Sequence, residues 1–202
     1  MIGLRNTSIG EGSCVADHTW MNVCLRDEQV RLKVGRCVLV GRQSMISTGG
    51  QLEIGDYCIL APRVYISDAD HIFSDTGQPI LQQGATLGRS VIVEENCWLG
   101  INTVVSGNLT VGRGVVIAAN SVVINDVPPF CVVAGNPATI IKMYNPLTRL
   151  WERTRTPEDQ ERVQQARESA GLPDRAKYQQ ILAMASTFNQ VDPIAAGRGL
   201  CI

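Results

Sequence analysis

The chain has 202 residues, of which 45% are apolar, 18% charged and only 5% aromatic. That is a globular composition with room for one sizeable core, and the core must be built from aliphatic side chains. With 18 Lys and Arg against 19 Asp and Glu, the net charge of −1 gives no electrostatic footprint for nucleic acid or an anionic membrane surface.

No apolar run approaches the ~20 residues that a spanning helix needs. No basic segment followed by an apolar stretch opens the chain, so nothing in it reads as an export signal. The seven cysteines, Cys14, Cys24, Cys37, Cys58, Cys97, Cys131 and Cys201, are odd in number and lack C-x-x-C spacing. Neither a disulfide framework nor a zinc knuckle is expected, and a reducing cytoplasm fits best. There are only two histidines, His18 and His71.

In chain order, aliphatic residues first recur at a spacing of six in three short blocks: Ile9, Val15 and Met21; Val34, Val40 and Ile46; Ile54, Leu60 and Ile66. The repeat then breaks over the polar stretch 68–79, which reads as a loop thrown out from the repeat. Insertions on one face of a repeat array are where binding commonly occurs. The same spacing resumes in one long run: Leu81, Leu87, Val93, Leu99, Val105, Val111, Ile117 and Val123. Two residues before each hit stands an apolar or small residue, such as Val91, Cys97, Thr103, Leu109, Val115 and Ser121. The second position of the hexad is often Gly88, Gly100, Gly112 or Ala118.

A period of six is not helical, and it exceeds the period of two of a simple strand while containing it. It describes a coil with three short flat faces, each putting one aliphatic side chain inside before the chain turns a corner. Coils of this kind stack as parallel strands about 4.8 Å apart. The reading is an all-β solenoid, a parallel β-helix of hexapeptide repeats. A narrow three-walled interior suits Val, Ile and Leu and has little room for rings.

The repeat ends at Pro128-Pro129, and a short apolar segment runs on to Lys142. Residues 1–142 are therefore taken as the repeat domain and 143–202 as a helical C-terminal extension. Thr156-Pro157-Glu158 is a helix start, predicting a helix to Ala170 with Gly171 ending it. A second helix is predicted from Asp174 to Ser186, with a loosely ordered end after it. The extension is expected to pack on the prism or on a neighbouring subunit and to cover the open edge of the last coil.

Four segments resemble a known family: Asn96-Cys-Trp-Leu-Gly100, Val111-Gly-Arg-Gly-Val-Val-Ile-Ala-Ala-Asn-Ser-Val122, Asp126-Val-Pro-Pro129 and Ala134-Gly-Asn-Pro-Ala138. They resemble the hexapeptide-repeat acyltransferases, with the sugar O-acetyltransferases as the nearest branch. The loop Ile66-Ser-Asp-Ala-Asp-His71 is similar to the catalytic loop of the enzymes that decorate polysaccharides. The resemblance covers residues ~9–142 and implies a left-handed β-helix, an exception to the right-handed crossover rule. It further implies acetyl-CoA as acyl donor, a saccharide hydroxyl as acceptor, no metal, and a homotrimer.

The chemistry asks little of the protein. A thioester is already activated, so the attacking hydroxyl needs only one general base, and imidazole is the usual one. No covalent intermediate is required, so the cysteines need not act. His71, on the insertion, is the expected base, and His18 is read as structural or interfacial. Asp68, Asp70 and Asp75 flank His71. One carboxylate could hold the imidazole tautomer or bind sugar hydroxyls, and Asp70 is assigned to His71 with Asp68 and Asp75 on the acceptor. Sequence neighbours in extended chain rarely point the same way, so Asp70 need not be the partner.

By resemblance, Gly100, Ala118 and Ala119 would let the pantetheine arm of CoA approach the backbone, Trp98 would stand near the active site, and Lys142 would meet the phosphates. Thr139 departs from the family pattern, which often has a Lys or Arg there, and nearby Arg residues could substitute. A flat-sided prism has no cavity of its own, so the cleft is expected between subunits, with His71 of one facing the coil of its neighbour.

Three other readings remain to be weighed. A carbonic anhydrase on the same scaffold needs three histidines at each zinc, and this chain has two. N-acetylation of an amino-sugar nucleotide uses the same kind of base and stays open. A non-catalytic β-helix scaffold subunit would have no use for the His71 loop.

Overall fold

The computed structural model describes residues 1–184 of the chain. The end of the second predicted helix at Ser186, the loosely ordered end and Cys201 lie outside the described residues. Within 1–184, five coils of three strands each stack on one another. They are β1–β3 (Thr7–Ile9, Cys14–Val15, Trp20–Val23), β4–β6 (Leu32–Val34, Leu39–Val40, Met45–Thr48), β7–β9 (Gln51–Ile54, Ile59–Leu60, Tyr65–Ser67), β10–β12 (Ser90–Val93, Trp98–Leu99, Val104–Ser106) and β13–β15 (Leu109–Val111, Val116–Ile117, Val122–Val123). Each coil gives one strand to each of three parallel sheets. The first sheet is β1-β4-β7-β10-β13, the second starts β2-β5-β8-β11-β14, and the third is β3-β6-β9-β12-β15.

The register places like above like. Ile54, Val93 and Val111 form one inner column, Leu60, Leu99 and Ile117 a second, and Ile66, Val105 and Val123 a third. All nine are 3% exposed or less, and burying each such side chain stabilises the fold by about 1.5–3 kcal/mol. Val91, Cys97, Thr103, Leu109, Val115 and Ser121 are buried as the second inward set.

The corners explain the rest of the hexad. His18, Gln43, Arg63, Asn102 and Asn120 all have φ near +60°, one per coil at the corner between the second and third faces. His18 is thus one member of a corner column, as its structural reading anticipated. Thr103 Oγ1 donates to the Gly100 carbonyl at 2.6 Å and Ser44 Oγ to that of Gly41 at 2.7 Å, so buried hydroxyls satisfy the corner carbonyls. A Cβ on Gly100 would stand 2.6 Å from the Ala119 nitrogen of the next coil, so stacking itself demands glycine there.

Three expectations need correction. Leu81 and Leu87 keep the six-residue spacing by coincidence: they are 84% and 57% exposed, and the inner column starts at Val93. The insertion therefore runs on past Pro79 to Arg89 and includes a short helix α1 (Ile80–Gln83). Ile9, at the uncovered end of the solenoid, is 41% exposed. After the last coil the chain does not turn at once to helix. Strands β16 (Cys131–Gly135), β17 (Ala138–Asn145) and β18 (Leu150–Arg153) extend the second sheet, β16 parallel to β14 and the next two antiparallel. Residue 142, the expected domain boundary, falls inside β17.

Helix α2 (Pro157–Ala170) begins and ends as its sequence dictates. Thr156 Oγ1 accepts the Asp159 amide at 3.2 Å, Asp159 returns the contact to the Thr156 amide, and Gly171 closes the end with φ 73°. Val163 of α2 is fully buried in the prism's core cluster. Arg167, 6% exposed, donates to the Phe130 carbonyl at 2.6 Å and the Tyr144 carbonyl at 3.0 Å. These bonds tie α2 to the last turn of the solenoid, and α2 covers its end. Helix α3 (Arg175–Met184) follows, with Arg175 3.1 Å from Glu94 and the Tyr178 ring edge-on to Phe130 at 5.4 Å.

Replacing Arg167 with Met keeps the bulk and removes both donors, leaving the Tyr144 carbonyl without its partner and the Phe130 carbonyl with the Tyr144 amide alone. A loss of roughly 2–4 kcal/mol in unfolding free energy is expected. Chemical denaturation of the full chain measures it, and a loss below about 0.5 kcal/mol contradicts the clamp.

Candidate functional site

The insertion leaves the prism after β9 and returns at β10. Its two arms form a narrow ribbon at the root. The Asp70 amide donates to Thr86 Oγ1 at 2.9 Å, the Thr86 amide to the Asp70 carbonyl at 2.8 Å, and the Ile72 amide to the Gly84 carbonyl at 3.0 Å. His71 lies between these bonds, bridged to Ala85, with its side chain exposed. No hydrogen bond or ion pair holds the imidazole among the described residues, so its ring nitrogens are available to a ligand.

The three flanking carboxylates do not converge on His71. Asp70 is engaged by Arg89, Oδ2 to Nη1 at 3.0 Å, so the expected pairing of Asp70 with the imidazole is replaced by an ion pair across the ribbon. Asp68 is 1% exposed. Its Oδ1 accepts the Gly49 amide at 2.6 Å, and its Oδ2 accepts Thr48 Oγ1 at 2.7 Å and the Gly50 and Gln51 amides at 3.0 and 2.9 Å. An acceptor-binding role for Asp68 is therefore corrected to an internal one, since its lone pairs are committed to the corner below. Asp75 is exposed and caps its own turn, accepting the Gly77 amide at 2.8 Å. Arg89 and the Thr48–Gln51 corner were not among the expected site residues. Gly49-Gly50 is visible in the sequence as a turn, but only the coil register brings it under Asp68.

The expected cofactor residues lie elsewhere on the same chain. Trp98 is 53% exposed on the outside of β11. In register beside it run Val116, Val132, Lys142 and Arg153, on four successive strands. Gly100, Ala118 and Ala119 sit at the following corner, Gly100 buried and Ala119 exposed. The structure thus groups Asp68, Asp70, His71 and Asp75 at the corner between the third and first faces. It groups Trp98 and Lys142 on the second face.

Grooves of the single chain lie away from His71. One of about 600 Å³ runs along the first face past Lys33, Glu53 and Glu94, and another of about 460 Å³ lies between Asp56, Glu95 and α3. Among the described residues no group of three or more His, Cys, Asp or Glu side chains is arranged to hold a metal ion. No described helix is long and apolar enough to cross a membrane.

A model of the bacterial transferase hexapeptide (six repeats) matches residues 90–125. Residues 90–125 therefore carry the hexapeptide repeat of that family. A Mycobacterium tuberculosis protein named as an acetyltransferase is 33% identical over 118 residues, 58% of this chain and 39% of its own length. An Escherichia coli protein named for O-acetyl transfer in lipopolysaccharide biosynthesis is 39% identical over 106 residues, 50% of this chain and 54% of its own. The matches thus span about half or less of these curated relatives. A hexapeptide-repeat acetyltransferase of Vibrio cholerae, solved with acetyl-CoA, aligns over 69% of this chain and 72% of its own, with 25% identity and a TM-score of 0.50. An N-acyltransferase of Bacillus cereus shares the fold, with a TM-score of 0.57 over 83% of this chain and 82% of its own at 16% identity. The solenoid is the left-handed parallel β-helix of these hexapeptide proteins.

Cys58, Cys97 and Cys131 are buried. Burial pushes the Cys97 thiol well above its ordinary range, and burial likewise raises that of Cys131. A thiol with a raised pKa stays protonated at neutral pH and is a poor nucleophile. Iodoacetamide at neutral pH is expected to label exposed Cys24 and to leave Cys58, Cys97 and Cys131 untouched until the protein unfolds. Peptide mass spectrometry reads this, and rapid labelling of Cys97 in folded protein contradicts it.

Proposed function

We propose that the chain transfers an acetyl group from acetyl-CoA to a hydroxyl of a saccharide acceptor, with His71 as general base. The observation that carries the reading is an exposed, unengaged imidazole on a pinned ribbon, set on a hexapeptide prism similar to one that binds acetyl-CoA. In the step, the acceptor oxygen attacks the thioester carbonyl carbon as an imidazole nitrogen takes the hydroxyl proton. The C–S bond then breaks and the CoA sulfur leaves, receiving a proton in turn. Nothing in this sequence needs a protein thiol.

The strip Trp98–Val116–Val132 followed by Lys142 and Arg153 supports the donor assignment. Apolar and aromatic surface suits a pantetheine arm, and two cations at its end suit phosphates. Arg153 supplies charge near Lys142 where Thr139 lacks it.

The outer faces support a homotrimer. On the third face, Trp20, Met45, Tyr65, Val104 and Val122 lie in register. On the second, Leu39, Ile59, Trp98, Val116 and Val132 do the same. Trp20 is 38%, Met45 43% and Ile59 42% exposed. The first face is mostly polar instead, with Ser8, Lys33, Glu53, Ile92 and Thr110 in register. Two adjacent apolar faces sharing one corner fit a three-fold axis at that corner, with the mostly polar face outward. In such an assembly the His71 corner of one protomer faces the neighbour's second face, where the donor strip lies, and the cleft that a lone prism lacks is made.

Two outcomes are expected. With acetyl-CoA and a panel of saccharides and amino-sugar nucleotides, free CoA release identifies the acceptor, and His71→Ala lowers the rate at least about 100-fold. Wild-type rate in that variant removes the base, and turnover on amino-sugar nucleotides alone turns the reading to N-acetylation. Met45→Glu, in the middle of the apolar column, is expected to shift sedimentation from about three times the 21.9 kDa chain toward a single chain and to lose activity with it. A wild type that sediments as an active single chain overturns the trimer.

A further inference from the structure

Corners between the third and first faces are held in different ways along the solenoid. At the first of them Asn6 Nδ2 donates to the Gln29 carbonyl at 2.9 Å and Arg31 Nη1 to the Gly50 carbonyl at 3.0 Å, whereas the later ones use one side-chain acceptor each. Asn108 Oδ1 accepts the Ser90 amide at 2.9 Å, and Asp126 Oδ1 accepts the Thr110 amide at 2.7 Å. Where the insertion leaves, the same kind of corner is held far more strongly. Asp68 takes the Thr48 hydroxyl and the Gly49, Gly50 and Gln51 amides together, with its carboxylate buried. Bonds of this type to an ionised carboxylate are about twice as strong as neutral ones. They also leave no capacity for a ligand.

The returning arm is seated on the same residues. The Gln51 amide also reaches the Arg89 carbonyl at 3.1 Å. A Cβ on Gly50 would stand 2.1 Å from the Arg89 carbonyl oxygen, and one on Gly49 would be 3.1 Å from Ala69 Cβ and 3.4 Å from Leu87 Cδ2. Both arms of the insertion therefore rest on a floor where Gly50 leaves no room for a Cβ and Gly49 little. From that floor to the imidazole there are three residues, and the ribbon bonds at Asp70, Ile72 and Thr86 leave them little freedom.

We propose that Asp68 is the positioning residue for the base: its buried carboxylate bolts the root of the insertion to the Thr48–Gln51 corner and so fixes where His71 stands. This rests on the reading of His71 as general base. Asn is the informative replacement because it keeps the shape. Its amide nitrogen cannot accept, so at least one of the corner's donors loses its partner.

The test uses the full chain. In Asp68→Asn, hydrogen exchange at the Ile72 and Thr86 amides is expected to speed up at least about 10-fold, while the Gly100 and Val104 amides in the prism keep their wild-type protection. The turnover number falls roughly 100-fold, the scale of a base displaced by about 1 Å, and KM for acetyl-CoA stays within about 2-fold. Gly50→Ala attacks the same floor through Arg89 and is expected to act in the same direction. Unchanged exchange at Ile72 and Thr86, or unchanged turnover, overturns the proposal. So does collapse of the whole prism in both variants, since the corner then serves the fold and not the base. His71→Ala in the same assay separates the two ideas. Full activity there removes the base while exchange still judges the bolt, whereas an inactive His71→Ala beside a fully active Asp68→Asn removes only the bolt.

Discussion

Parallel hydrogen bonding between coils is the constraint from which the rest follows. It fixes the spacing of successive coils at about 4.8 Å and sets each residue directly over its counterpart. An inward position must then be filled by a side chain that tolerates its own kind above and below, as in the column Leu60, Leu99 and Ile117. The interior is a stack made mainly of buried branched aliphatics, with no polar group directed to a ligand among the nine column residues. Corners pay in backbone conformation: between the second and third faces one residue per coil adopts φ near +60°, and Asn102 and Asn120 join side chains across coils at 2.8 Å.

Chemistry is therefore pushed to whatever departs from the repeat. The departures here are the insertion of residues 68–89, the outer ladders, and the strands and helices after Pro129. The insertion, α2 and α3 are each fastened to the prism by polar contacts, and each fastening is different. Arg167 satisfies two carbonyls at the top, Glu94 and Glu95 hold Arg175 of α3 at the side, and Asp68 holds the insertion. Glu95 keeps one buried carboxylate oxygen without a hydrogen bond, which makes the α3 contact the least satisfied of the three.

The six-residue period was legible because side-chain burial repeats with the coil, and a spacing survives in sequence whatever the handedness. The same rule misled at Leu81 and Leu87, where spacing persisted without a coil around it. Strands β17 and β18 were missed because they are antiparallel additions with their own alternation, which a hexad frame does not register. His71 could be singled out by scarcity and position. Asp68 could not be separated from Asp70 and Asp75, since all three look like loop carboxylates. What distinguishes it is contact with Thr48 and Gly49, about one coil earlier in the chain, and such contacts become visible only when the stacking register is known.

A side chain carried on a long insertion faces an entropic problem that the root contacts resolve. Extending a flexible loop adds only about 0.6 kcal/mol of closure entropy per doubling, so length itself is tolerated, but a free loop spreads its residues over many positions. Pinning both arms at Gly49-Gly50 and pairing them as far as Ile72 and Gly84 moves the variable part of the insertion outward, beyond His71. Residues 73–83 can then differ in shape to suit an acceptor without moving the imidazole. Phe73, Ile80 and Leu81, at 71%, 54% and 84% exposure, lie in that outer part. The exposed ion pair between Asp70 and Arg89 adds little energy of its own. Its effect is to occupy the carboxylate nearest in sequence to the imidazole, which leaves the His71 ring nitrogens without an internal partner among the described residues.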